Sequence, residues 1–353
     1  MIRRLHALVP GALVVFALAA LAGSAQALPR GVKCVPATEE NRLTPPAPLW
    51  QQKHEPKPAN LPAPLCPSGT VPTRSARPQG SPPSTALIPP VTPSPKPSPG
   101  VLANPFAATS APPIATEGYP TAPFYYAGDG FKTPELWYGL SVGIQVGNPT
   151  ISEASGTHSL GQIAVGAGTG GNEYTAELGW HRDAGFGAGS RLFTYINKDK
   201  YKSNGEEGGD CYNCITPQEG SPYTLNQELE VGHDYQFTVE HTGGAWWFAV
   251  GPSWIGHESD AFWSSKFVSS KYLIAYGEVY DTTGPKSQMG NGTIGTKTGS
   301  LVMNDPYLYK EKGELFTTAG HANQEKNPVP SDVPGYNVGL YSTNAREWHY
   351  GGE

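Results

Sequence analysis

Short apolar alternations punctuated by Gly, Asn, Asp and Pro predict an all-β chain: an antiparallel two-sheet β-sandwich of lectin or jelly-roll type, preceded by a disordered proline-rich segment. Three observations carry this expectation. The 353 residues include 43 Gly and 36 Pro but only 15% charged residues, a composition unfavourable to helix. No long segment of 3.6-residue period occurs. Of the 36 prolines, 22 fall between Thr44 and Pro120, so the strand-like texture is confined to the chain beyond Pro120.

The chain opens with Met1-Ile-Arg-Arg4, an apolar run from about Ala7 to Ala22, and Ala25-Gln-Ala27. These are the three parts of a secretory signal, with cleavage expected after Ala27. The apolar run is shorter than the roughly 20 residues a spanning helix needs. Residues 28–118 read as a linker or pro-segment, because a stretch such as Thr92-Pro-Ser-Pro-Lys-Pro-Ser-Pro99 cannot bury enough apolar surface to offset its ordering entropy. The folded domain is expected over 119–353.

Strands are expected over 136–146, 156–165, 172–181, 191–197, 234–241, 245–251, 272–281 and 300–303. In the fifth, Tyr235, Phe237 and Val239 share one face, while Asp234, Gln236, Thr238 and Glu240 share the other, giving one buried and one wet face. Cys34, Cys66, Cys211 and Cys214 form two local pairs in an even count that suits an oxidising compartment, and disulfides are the default. The net charge of −6 lacks a basic stripe, so neither nucleic acid nor an anionic membrane is an expected partner.

Two carboxylates stand out. Period-two alternation places Glu177 on the opposite face from Tyr174, Ala176, Leu178 and Trp180, and places Glu278 among Tyr272, Ile274, Tyr276 and Tyr280. Burial beside apolar surface raises a carboxyl pKa and a second carboxylate raises it further, so a converging pair would divide acid and base roles. Gln162 is a candidate oxyanion partner, and Tyr276 and Trp180 are candidate cleft residues. Trp246, Trp247, Trp254 and Trp263 suit either a sugar or peptide subsite or, more commonly, core packing. Other motifs lack their context. Gly166-Ala-Gly168-Thr-Gly-Gly171 has no helix after it and reads as a hairpin loop. Ser159 lacks the glycine two positions before it that a nucleophile elbow needs. His257-Glu258 has no second His at zinc-protease spacing, so no metal site is expected.

At these strands the chain resembles the neprosin family, the glutamic prolyl endopeptidases. The matching residues include Tyr125-Tyr-Ala-Gly128, His158-Ser-Leu-Gly-Gln-Ile163, Glu177-Leu-Gly-Trp180 and Leu192-Phe-Thr-Tyr195. They continue with Thr242-Gly-Gly-Ala-Trp-Trp247, Gly277-Glu-Val-Tyr280, Met289-Gly-Asn-Gly292 and Tyr350-Gly-Gly352. The resemblance implies a two-sheet sandwich, Glu177 and Glu278 as the catalytic pair, and cleavage after proline in acid without metal or cofactor. The expected partner is a proline-containing peptide or protein, met by a secreted monomer. Cys211 and Cys214 lie closer together than the family's paired cysteines. Two other readings fit a sandwich with cleft carboxylates: a glycoside hydrolase, or a lectin-like binding module without catalysis.

Overall fold

The computed structural model describes residue 28 and residues 32–43, 45–54, 63–74, 124–154, 157–169, 172–184, 188–198, 210–281, 283–284, 286–310, 314–317, 326–329, 335–342 and 347–352. The expected signal peptide, 1–27, lies outside the described residues. In chain order the strands are β1 (Val32–Pro36), β2 (Thr70–Arg74), β3 (Phe124–Trp137), β4 (Gly139–Gln145), β5 (His158–Thr169) and β6 (Asn172–Asp183). Next come β7 (Arg191–Asn197), β8 (Asp210–Tyr212), β9 (Thr216–Pro217), β10 (Asp234–Thr242), β11 (Ala245–Val250) and β12 (Ser253–Ser259). The last are β13 (Ser270–Tyr280), β14 (Leu301–Lys310), β15 (Glu314–Thr317), β16 (Lys326–Val329), β17 (Tyr336–Ser342) and β18 (Glu347–Gly352). One short helix, α1 (Leu49–His54), and a 3-10 turn at Glu40–Arg42 lie near the start.

The two main sheets are antiparallel throughout, as the sequence predicts for a sandwich. One runs β16, β3, β13, β5, β6, β7, β8; the other runs β17, β18, β14, β4, β10, β11, β12, β9, with β15 paired to β14. Strand periodicity supplies their shared interior. On β5 and β6 the residues Ile163, Val165, Ala176, Leu178 and Trp180 point inward, and on β10 and β11 Phe237, Val239, Trp246 and Phe248 meet them in one continuous core. Side chains at alternate positions therefore emerge on the outer faces, and each outer face has its own apolar cluster.

Two differences from the sequence reading matter. The expected set omits β3, whose Gly128, Gly130 and Pro134 interrupt the apolar alternation, yet β3 pairs with β13 along nearly its whole length. The face of β10 expected to be wet is covered over its second half: Asp234 is exposed and Gln236 half-buried, but Thr238 is fully buried and Glu240 nearly so. The cover is α1, whose Leu49 N–H donates to Glu240 Oε2 at 3.0 Å. Residues 28–118, read as a largely disordered linker or pro-segment, thus include elements that pack on the second sheet; the rest of that stretch lies outside the described residues.

Candidate active site

The site is built on the outer face of the first sheet, where antiparallel register stacks side chains in rows across neighbouring strands. Tyr126, Glu278, Leu160 and His181 are consecutive Cα partners on β3, β13, β5 and β6. The next row holds Gly128, Tyr276, Gln162, Gly179 and Phe193, and the third holds Gly130, Ile274, Ala164, Glu177 and Tyr195. Glu278 and Glu177 therefore lie diagonally across the middle row, on strands separated only by β5. The Tyr276–Gln162 pair sits between them. Glu177 is 7% and Glu278 9% exposed, so both carboxylates are largely withdrawn from water.

The middle row is kept low at its flanks. A Cβ at Gly128 would lie 2.3 Å from Tyr276 Cβ, and one at Gly179 2.6 Å from Gln162 Cα. Only glycine permits those approaches. The centre of the row is polar: Gln162 Nε2 donates to the Tyr276 hydroxyl. Burial, then the charges of Glu177 and Glu278, raise that hydroxyl well above its ordinary pKa, so it keeps its proton across the working range. Gln162 Oε1 is buried with no hydrogen-bond partner among the described residues. An unsatisfied buried acceptor is costly, and a donor on a bound ligand would satisfy it.

His158 completes the site in a way sequence reasoning missed. It lies opposite Tyr280 on β13, and its Nε2 reaches diagonally to Glu278 Oε1 at 2.9 Å. The imidazole stacks on Tyr280, with ring centroids 5.5 Å apart, which fixes the plane of the ring. The signal was present, since His158, Leu160, Gln162 and Ala164 alternate along one strand, but the partner across the ladder is known only from register. Behind Glu278 in the same row, burial pushes His181 down to about 3, helped by the charges of His158 and Arg191. A neutral His181 shares a hydrogen bond with the Tyr212 hydroxyl and packs edge-on against Phe193.

Glu177, Glu278, Gln162 and Tyr276 are thus brought to one face. Trp180 is not: it is fully buried between the sheets, and its indole N–H donates to Gln145 O at 3.1 Å. Its odd-even phase relative to Glu177 requires that separation. Trp246 and Trp263 are core residues, and Trp247 and Trp254 pack on the outer face of the other sheet. None of the four belongs to the sheet that carries the glutamates. Cys34 and Cys66 form a disulfide, as expected. Cys214 is also disulfide-bonded, while the Cys211 side chain lies outside the described residues.

A family model described as Neprosin matches residues 155–352, more than half of the chain. Among solved structures, scytalido-glutamic peptidase with a transition-state analogue inhibitor aligns at 10% identity and a TM-score of 0.36, covering 64% of this chain and 98% of that one. SCP-B, a member of the eqolisin family of peptidases in complex with the tripeptide Ala-Ile-His, aligns at 9% identity and 0.34, covering 64% and 96%. A glycoside hydrolase family 16 endo-glucanase from Bacteroides ovatus aligns at 9% and 0.30, covering 46% and 69%.

Proposed function

The chain belongs to the Neprosin family of glutamic-type peptidases, and from that premise we propose that it is an exported acid endopeptidase hydrolysing peptide bonds on the carboxyl side of proline. The observation that supports this reading is the placing of Glu177 and Glu278 diagonally across the buried Tyr276–Gln162 pair. In this scheme one glutamate, ionised, takes a proton from the attacking water. The other, protonated, polarises the scissile carbonyl or protonates the departing nitrogen. Tyr276, which keeps its proton, can donate to charge developing on the carbonyl oxygen, and Gln162 Oε1 can accept an N–H of the peptide. His158 holds Glu278 in position.

Export is proposed from the signal-like 1–27 segment, and the disulfides suit that destination. The catalytic domain is then 119–353, and the protein is expected to work as a monomer. The deciding experiment is hydrolysis of a proline-containing quenched peptide between about pH 2 and 8 by the protein and by its Glu177→Gln and Glu278→Gln variants. Acid-limited cleavage after proline, lost in both folded variants, is the expected outcome. Cleavage that survives either substitution would refute the paired mechanism, and no cleavage by a folded, matured protein would refute the peptidase reading.

A further inference from the structure

The first described elements of the chain form a clasp on the face opposite the candidate site. β1 pairs with β2, and the Cys34–Cys66 disulfide closes the same segment upon itself. The rest of the segment is seated on the second sheet at points spread along its length. Asn41 Nδ2 donates to Pro217 O at 2.8 Å, and Asn41 O accepts from Glu219 N–H at 2.9 Å. Gln218 Nε2 donates to Leu43 O at 2.7 Å, and the Trp254 indole donates to Pro46 O at 2.8 Å. Leu49 N–H donates to the buried Glu240 carboxylate, Leu65 N–H to Ser221 O at 3.0 Å, and Gly69 N–H to Glu219 Oε1 at 2.5 Å. Leu49 and Trp50, both nearly solvent-free, pack with Tyr307 and Tyr309 of β14 in a separate apolar cluster.

We infer that this clasp, residues 32–54 with 63–74, is a retained subunit of the folded protein: opening the chain between residues 75 and 123 leaves it bound, giving a two-chain molecule. The contacts in its favour run from Asn41 to Gly69, and Leu49 and Trp50 are their apolar anchor. Both disulfide partners lie within the clasp, so its retention is noncovalent. The clasp also supplies buried groups to the sheet it covers. Without it the Glu240 carboxylate, the Trp254 indole N–H and the rings of Tyr307 and Tyr309 lose partners they have in the whole chain. Cutting a connection costs the effective concentration it supplies, which is in the millimolar range for short flexible linkers in general. A seat made of many contacts, with the Leu49–Glu240 bond buried among them, outlasts that loss. Its bonds are made with β9, β10, β12 and the 218–221 turn, whereas Glu177 and Glu278 belong to the other sheet. Removing the clasp is therefore not what would uncover the carboxylates.

The test uses the full chain carrying Glu177→Gln, so that it cannot open its own connection, with the recognition sequence of an unrelated, sequence-specific protease inserted between residues 80 and 118. After complete cutting, the sample is run by size exclusion at micromolar concentration and the peaks are identified by mass. The expected result is one peak containing both fragments. The same cut in a variant that also carries Leu49→Asp and Trp50→Ala is expected to split that peak into two. Separation of the N-terminal fragment from the body in the Glu177→Gln protein would overturn the inference, as would co-elution that the Leu49 and Trp50 changes leave untouched.

Discussion

His158 and Glu278 show how much a site depends on one diagonal contact. A hydrogen bond of 2.9 Å between two side chains that are each about one-tenth exposed fixes a carboxylate that would otherwise sample several rotamers. Loss of such positioning has a kinetic signature, because misplacing a reacting group by about an ångström costs up to about a hundredfold in rate. His158→Ala is expected to lower kcat on a proline-containing peptide between about tenfold and a hundredfold while KM changes little. His158→Gln, which keeps a donor near the same place, should recover most of the loss. Unchanged kcat in the alanine variant would remove His158 from the site. Glu177 and Glu278 stand out in the sequence as candidates, since each lies within an apolar, aromatic run and period two fixes its face. His158 does not, because its role lies in a partner 120 positions away that only ladder register brings near.

At the scale of elements, the pairing of β10 with the cover provided by α1 changes the chemistry of one side chain. Burial raises Glu240 from its ordinary value to about 7, against the opposing effect of the Leu49 hydrogen bond, while burial and then the Glu240 charge raise the Tyr309 hydroxyl, which lies across Gly139 from it. A carboxyl whose pKa is raised by folding binds its proton more tightly in the folded state. The resulting handicap is absent below the unfolded value, grows as pH climbs from 4.5 toward 7, and is constant above. Glu240→Gln keeps an acceptor for Leu49 and removes the charge. It should therefore stabilise the protein at pH 8 by something of the order of 3 kcal/mol and leave stability at pH 4 nearly unchanged. Urea unfolding at the two pH values measures this, and equal effects at both would contradict it. The alternation in β10 was readable, but its covered outer face was not, because the cover comes from nearly two hundred residues away. β3 lacks a sequence signature for a local reason: its glycines carry no side chain to betray alternation, and Gly128 is there because Tyr276 packs against its backbone.

For the molecule as a whole, the sandwich separates its two working surfaces. The carboxylates occupy the outer face of one sheet, the clasp occupies the outer face of the other, and a continuous apolar core lies between. Packed sheets stand about 10 Å apart, so side chains on opposite outer faces share no partners and should behave independently. A protein carrying both Glu240→Gln and His158→Ala should show the kcat of His158→Ala within about twofold, and stability changes that add within about 0.5 kcal/mol. A larger departure in either quantity would mean that the two faces are coupled through the core. Strand class, the inward faces and the two candidate glutamates could be read along the chain, because each is a local matter of period and residue type. The folded molecule alone reveals that Glu177 and Glu278 share one row system around Tyr276 and Gln162, and that an N-terminal segment covers Glu240. Those facts depend on which strands become neighbours and in what register, and hydrogen bonds between distant segments leave no trace in local pattern.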